Sequence, residues 1–235
     1  MTNRESDIQR HAPIPGLWWK LLVGLLMAWV IYGSFYVAHG AVNFGFGGNP
    51  ARIVFFHVPV AVLSYVAYAV AAVYGILHLA GRNAQASDMK AGASMELGLI
   101  FCILATITGS IFAGIQWGRF WNWDPRETSI VVMLLLYGAY IALRLSLADR
   151  PDQRGRFCAV YTLVALVPAT FLIWIVPRIP SLQSLHPTNV LFNPDNTSAS
   201  YKEVLYPSFA AFIMLYVWLL QLRCRIQTVL LRREQ

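Results

Sequence analysis

Between positions 117 and 129 the chain reads Trp117-Gly118-Arg119-Phe120-Trp121-Asn122-Trp123-Asp124-Pro125-Arg126-Glu127-Thr128-Ser129. Three indoles and a phenyl ring crowd together, with Arg119 and Arg126 beside them. Aromatic faces give rigid contact area at small entropic cost, and guanidinium forks match carboxylates. The segment therefore suits a flat, apolar ligand with acidic edges. The plainer explanation is a membrane-interface belt, where tryptophan gathers in any case, and Trp18, Trp19 and Trp29 fit that explanation. Belt residues usually sit singly at helix ends, whereas Trp117, Trp121 and Trp123 share one connecting segment. If that segment is helical, Trp117 and Trp121 lie on one face.

Asp124-Pro125-x-Glu127 carries the marks of a helix start. It offers an N-cap acceptor, proline in the first helical position and a carboxylate near the positive end of the dipole. Anchoring the loop to the next helix is thus the first role expected of Asp124.

Histidine supplies the remaining chemistry. His57 stands in Phe56-His57-Val58-Pro59 and His186 in Ser184-Leu185-His186-Pro187. A lone histidine in a membrane helix is more often packing than a ligand. Two imidazoles beside an aromatic shelf can instead hold a haem iron from opposite sides. His39 is the competing ligand. Haem also carries two propionates, for which Arg52, Arg119, Arg126 and Arg178 are the available cations; the alternative for each is interfacial snorkelling.

These groups must be positioned by the apolar runs around them. Leu17–Val37, Ile53–Leu79, Met95–Gln116, Glu127–Ala148, Phe157–Val176 and Glu203–Leu222 are each long enough to cross a bilayer. Residues 81–94 read as a polar connection, 149–156 as a short charged turn, and Pro168 as a kink. The chain is 57% hydrophobic and 12% charged, against about 25% charged in soluble domains. The expectation is an all-α fold, one integral-membrane domain spanning 1–235, built as a bundle of six transmembrane helices.

Arg4, Arg10, Lys20, Arg82, Lys90, four arginines between 144 and 156, and four from Arg223 to Arg233 fall on one side of such a bundle. Arg52, Arg119, Arg126, Arg178 and Lys202 fall on the other. Basic segments stay inside, so both termini are expected to be cytoplasmic. The tryptophan segment, His57 and the 177–202 loop then share the outer face, and His78 lies at the opposite leaflet. The net charge of +7 is accounted for without nucleic acid. Cys102, Cys158 and Cys224 form no Cys-x-x-Cys and no disulfide framework. No nucleotide-binding loop or nucleophile–base motif occurs.

Trp117-Gly118-x-x-Trp121-x-Trp123-Asp124, with six spans and one histidine in each flanking outer segment, resembles the haem exporter protein C family. This family is the C component of the bacterial cytochrome c maturation system, within the tryptophan-rich haem-handling superfamily. The resemblance implies that His57 and His186 are axial ligands of a transiently held b-type haem. Trp117, Gly118, Trp121, Trp123 and Asp124 would belong to the surface that presents it. It also implies delivery to a periplasmic haem chaperone, which binds haem covalently through its own histidine. The further partners would be the A and B components of an ABC transporter, a small D membrane subunit and the lipid bilayer of the inner membrane. The chain would then be a handling and transfer factor rather than a turnover enzyme. The rival reading, a membrane haem oxidoreductase or electron-transfer subunit, calls for histidine pairs buried inside the bundle. A small-solute transporter ranks last, because ionisable groups at mid-membrane are few.

Overall fold

The computed structural model describes residues 16–38, 52–186 and 198–233. Among these, all regular structure is helical. The helices are α1 (Leu17–Tyr36), α2 (Val54–Leu79), α3 (Ala84–Trp117), α4 (Pro125–Ser146), α5 (Pro151–Thr170) and α6 (Ala199–Arg233). α5 runs on through a π-helical turn at Phe171–Ile175 and a 3₁₀ turn at Val176–Arg178. Counting α5 with its extension, six helices are long and apolar enough to cross a membrane, as the apolar runs predict.

α2 and α3 form the central pair. α1 and α6 pack on one side, α4 and α5 on the other. Small residues let the central helices approach: Ala67, Ala71, Ala72 and Gly75 are buried on α2, and Ala91, Gly92, Gly98 and Ala105 on α3. At Gly98 an added Cβ would collide with the Tyr137 hydroxyl and come within 2.9 Å of Ala67. Lipid offers no hydrophobic drive between helices, so close backbone approach and interhelical hydrogen bonds carry association. Ser94 Oγ donates to the Ala67 carbonyl at 2.7 Å, Ser208 Oγ donates to the Phe55 carbonyl at 2.7 Å, and Tyr137 donates to the Ser64 carbonyl. The outer surface is apolar instead: Ile100, Ile103, Ile107, Ile111 and Ile115 form an exposed stripe on α3.

Three sequence expectations about element boundaries need correction. The polar 81–94 connection is a tight turn only to Asn83, with α3 starting at Ala84. Helix formation continues there because Asp88 finds partners. Arg144 of α4 reaches it with a two-pronged pair at 2.7 and 3.0 Å, and Arg154 of α5 lies at 3.5 Å. The basic segment after Leu222 is likewise helical to Arg233, and Arg223 grips Glu96 at 2.5 and 3.1 Å. The charged 149–156 stretch is already α5 from Pro151, because proline in the first helical position and Asp152 in the first turn favour a start. Beyond Pro168 the α-helical ladder gives way to the π turn, a geometry frequent at functional sites.

The two ends of the bundle differ in character. Trp19 packs on Trp218 with Lys20 above the same ring, so the start of α1 and the late turns of α6 share the Glu96–Arg223 end. His78 also lies away from the tryptophan segment. Its Nδ1 pairs with the Ala84 carbonyl at 2.8 Å, and its ring packs over Gly155.

The Arg144–Asp88 pair retains only 14% and 11% side-chain exposure. Arg144→Leu should therefore leave Asp88 with only the longer Arg154 contact and destabilise the fold by about 1–3 kcal/mol. Asp88→Asn in the same chain should recover much of the loss, read by thermal unfolding in detergent.

Candidate functional site

α3 stops at Trp117 because Gly118 takes the left-handed conformation (φ 74°) that ends helices. Residues 118–124 are not helical, so Trp117 and Trp121 do not share a helix face. Trp123 is also left-handed (φ 56°), a conformation disfavoured for any residue with a Cβ. It stands 75% exposed, its ring 6.0 Å from that of Trp121 and perpendicular to it.

The strained turn delivers Asp124 to the head of α4, where a full capping box forms. Asp124 Oδ1 accepts from the Arg126 amide at 2.8 Å, while Glu127 Oε2 accepts from the amides of Asp124 (3.2 Å) and Asn122 (2.7 Å). The expected anchoring role of Asp124 is therefore present, but it is half of what this residue does. The same carboxylate accepts from Ser184 Oγ at 2.9 Å, the Leu185 amide at 2.6 Å and His186 Nδ1 at 3.1 Å. Its side chain is wholly inaccessible to solvent. Burial alone would raise its pKa. The hydrogen bonds from His186, Arg126 and Leu185 outweigh burial and hold the group well below the ordinary carboxylate range.

An ionised Asp124 fixes the tautomer of His186. A carboxylate can only accept, so Nδ1 carries the proton and Nε2 keeps its lone pair. The ring is also set against Trp117, whose centroid lies 5.1 Å away, edge on. His57 occupies the opening turns of α2, with Nδ1 2.9 Å from Thr108 Oγ1 on α3.

Both histidines line one cavity of about 450 Å³, enclosed by α2, α3, α4 and the π and 3₁₀ turns after α5. That volume falls in the range of small-molecule and cofactor sites. Trp121, Arg126 and Arg178 line it too, and its deeper wall is mainly apolar, with Ala61, Val62 and Tyr65 on α2. Arg126 Nε and Glu127 Oε1 are buried at this wall without a hydrogen-bond partner among the described residues. Unmet capacity of that kind is costly unless a ligand or water meets it.

Of the residues singled out in the sequence, the fold brings His57, His186, Trp121, Arg126 and Arg178 to the cavity. Trp117, Gly118 and Asp124 stand behind it. Trp117 backs His186, Gly118 turns the chain and Asp124 ties the loops. Trp123 and Arg119 face outward, and Arg52 lies 5.6 Å above the Phe35 ring. His39 falls outside the described residues. The sequence reading missed Trp174 and Tyr65, which line the cavity with ring centroids 5.9 Å apart, and the bonded hydroxyl of Thr108. The indole of Trp174, beneath the Arg178 guanidinium at 5.3 Å, was legible as one more tryptophan near an outer span end. Tyr65 and Thr108 carried no such signal.

Comparison with known proteins gives a consistent answer. A family model described as Heme exporter protein C matches residues 7–235. The chain is 29% identical over 213 residues to Heme exporter protein C of Paracoccus denitrificans, covering 87% of each. It is 29% identical over 217 residues to that of Rhodobacter capsulatus, again covering 87% of each. To that of Escherichia coli K12 it is 32% identical over 154 residues, 62% of each.

Replacing Asp124 by alanine should uncap α4 and release Ser184–His186, lowering stability by about 1–2 kcal/mol. Asn caps almost as well, so Asp124→Asn should keep most of that stability while weakening the hold on His186. Because the folded-state pKa lies below the unfolded value of about 3.9, the ionised group's contribution is complete above that value. It drains away as pH falls through the lower folded value. Unfolding curves followed from neutral pH down to about pH 2 should show the course of this acid loss in wild type, and the Asp124 part of it should be missing in Asp124→Asn.

Proposed function

This chain belongs to the haem exporter protein C family, and from that premise we propose that it holds haem between His57 and His186 and passes it to a haem chaperone for c-type cytochrome maturation. One observation carries the reading. A single cavity brings together two imidazoles, each already bonded through Nδ1, beneath two arginines and above an apolar wall. Two neutral imidazoles are a donor set for the two axial positions of haem iron. Arg126 and Arg178 are forks for its propionates. The apolar wall and the Trp121 ring suit the macrocycle.

The division of the tryptophans supports hand-over rather than permanent storage. Trp121 faces the cavity, whereas Trp123 and Phe120 are 75% and 68% exposed on the same loop. Exposed aromatic anchors beside a filled cavity are a landing surface for a partner protein, here a chaperone that carries the haem away. The densely arginine-rich end of the bundle argues for a cytoplasmic position of both termini. The cavity then opens on the periplasmic face of the inner membrane. In that setting the chain works with the A and B components of an ABC transporter and a small D membrane subunit. An electron-transfer subunit fits less well, since His78 is engaged with Ala84 at the far end of the bundle.

Purified protein loaded with haem should show a six-coordinate low-spin spectrum. His57→Ala and His186→Ala should each abolish it; an unchanged spectrum in both variants removes the ligand assignment. Trp121→Ala should weaken haem retention about tenfold, in line with the ~1.5 kcal/mol an aromatic contact contributes. Trp123→Ala should leave retention intact and slow transfer to the chaperone, and Trp18→Ala should do neither.

A further inference from the structure

Among the described residues, no carboxylate stands behind His57. Its Nδ1 meets the hydroxyl of Thr108 at 2.9 Å, from the facing helix fifty-one positions along the chain. That hydroxyl has one proton, and Thr108 Oγ1 lies 2.7 Å from the Leu104 carbonyl and 3.3 Å from that of Ala105. Carbonyl oxygens only accept, so the proton is directed back along α3. The lone pairs of Oγ1 are then turned toward His57, and the ring must be the donor. Nδ1 carries the hydrogen, and Nε2 is left with its lone pair.

The next residue completes the arrangement. At Gly109 an added Cβ would come within 2.9 Å of His57 Cε1 and 3.6–3.7 Å of both ring nitrogens. Gly109 also lines the cavity. The absent side chain is therefore the space in which the imidazole lies, with the Cε1 edge of the ring turned into the α3 backbone.

We propose that the Thr108–Gly109 step is the positioning device for His57: Thr108 sets its tautomer by accepting from Nδ1, and Gly109 clears the groove that sets its angle. This rests on the reading of His57 as an iron ligand. It makes the two ligands chemically unequal. His186 is backed by an anion, which raises the basicity of a coordinating imidazole, whereas His57 is backed by a neutral hydroxyl. His57 is the weaker donor of the pair.

Full-length protein in detergent, with ¹⁵N-labelled histidine, tests this without and with added haem. Without haem, the His57 ¹⁵N shifts should report a protonated Nδ1 in wild type and in Thr108→Ser. In Thr108→Val, which keeps the volume and leaves the ring N–H only the Ala105 carbonyl as acceptor, the Nδ1–H tautomer should lose population to the other. With haem, Thr108→Val should weaken retention about 10–100-fold, Thr108→Ser should restore it, and Gly109→Ala should shift the low-spin bands by displacing the ring. Thermal unfolding of each variant separates these effects from loss of fold. An unaltered tautomer and unaltered retention in Thr108→Val overturn the proposal. If His57→Ala loses the low-spin spectrum while Thr108→Val keeps it, the positioning role fails and the ligand assignment stands. If His57→Ala keeps the spectrum, the ligand assignment itself falls.

Discussion

A single buried carboxylate holds the tryptophan-rich end of this bundle together. Asp124 satisfies the first amides of α4, as an N-cap should, and then accepts three more hydrogen bonds from Ser184, Leu185 and His186. Neither task alone would require complete burial. Performed together, they lock two connections distant in sequence into one rigid unit. The cost of removing a charge from water is met by donors arranged beforehand, which is the condition for a buried anion to be tolerated. The histidine it orients is then presented to the cavity with no freedom to rotate or change tautomer.

Around this unit the bundle supplies what a carboxylate cannot. The small residues of α2 and α3 bring those helices close, and the unwinding after Thr170 opens the space opposite them. Leu172, Ile173 and Trp174 of the π turn all line the cavity. A tightly packed core and a cavity thus lie within the same few turns, and the change from one helical geometry to another separates them.

Much of this was legible in the sequence. Six apolar runs gave six helices, since a bilayer sets their length. The Asp-Pro-x-Glu pattern announced its capping box because that chemistry is local. His57 and His186 were separable from His78 by their placement along the spans. What escaped notice depends on groups far apart in sequence. Asp88 looked like part of a polar connection because its arginine partners lie 56 and 66 positions away. Thr108 looked like any hydroxyl in an apolar helix. The supposed common face of Trp117 and Trp121 assumed that helix continued through Gly118, where a left-handed glycine ends it. The onset of the π turn left no mark beyond Pro168.

The length of α3 has its own consequence. Its 34 residues span about 51 Å, whereas the hydrocarbon slab is about 30 Å thick. Measured from Trp117, Glu96 lies about 32 Å along the axis and Asp88 about 44 Å. Both ion pairs therefore fall at or past the far edge of the oil, among headgroups where charge is cheap to keep. The helix acts as a depth gauge. In a thicker bilayer the Glu96–Arg223 clasp would be dragged toward hydrocarbon, and the bundle would have to thin the lipid around it in response.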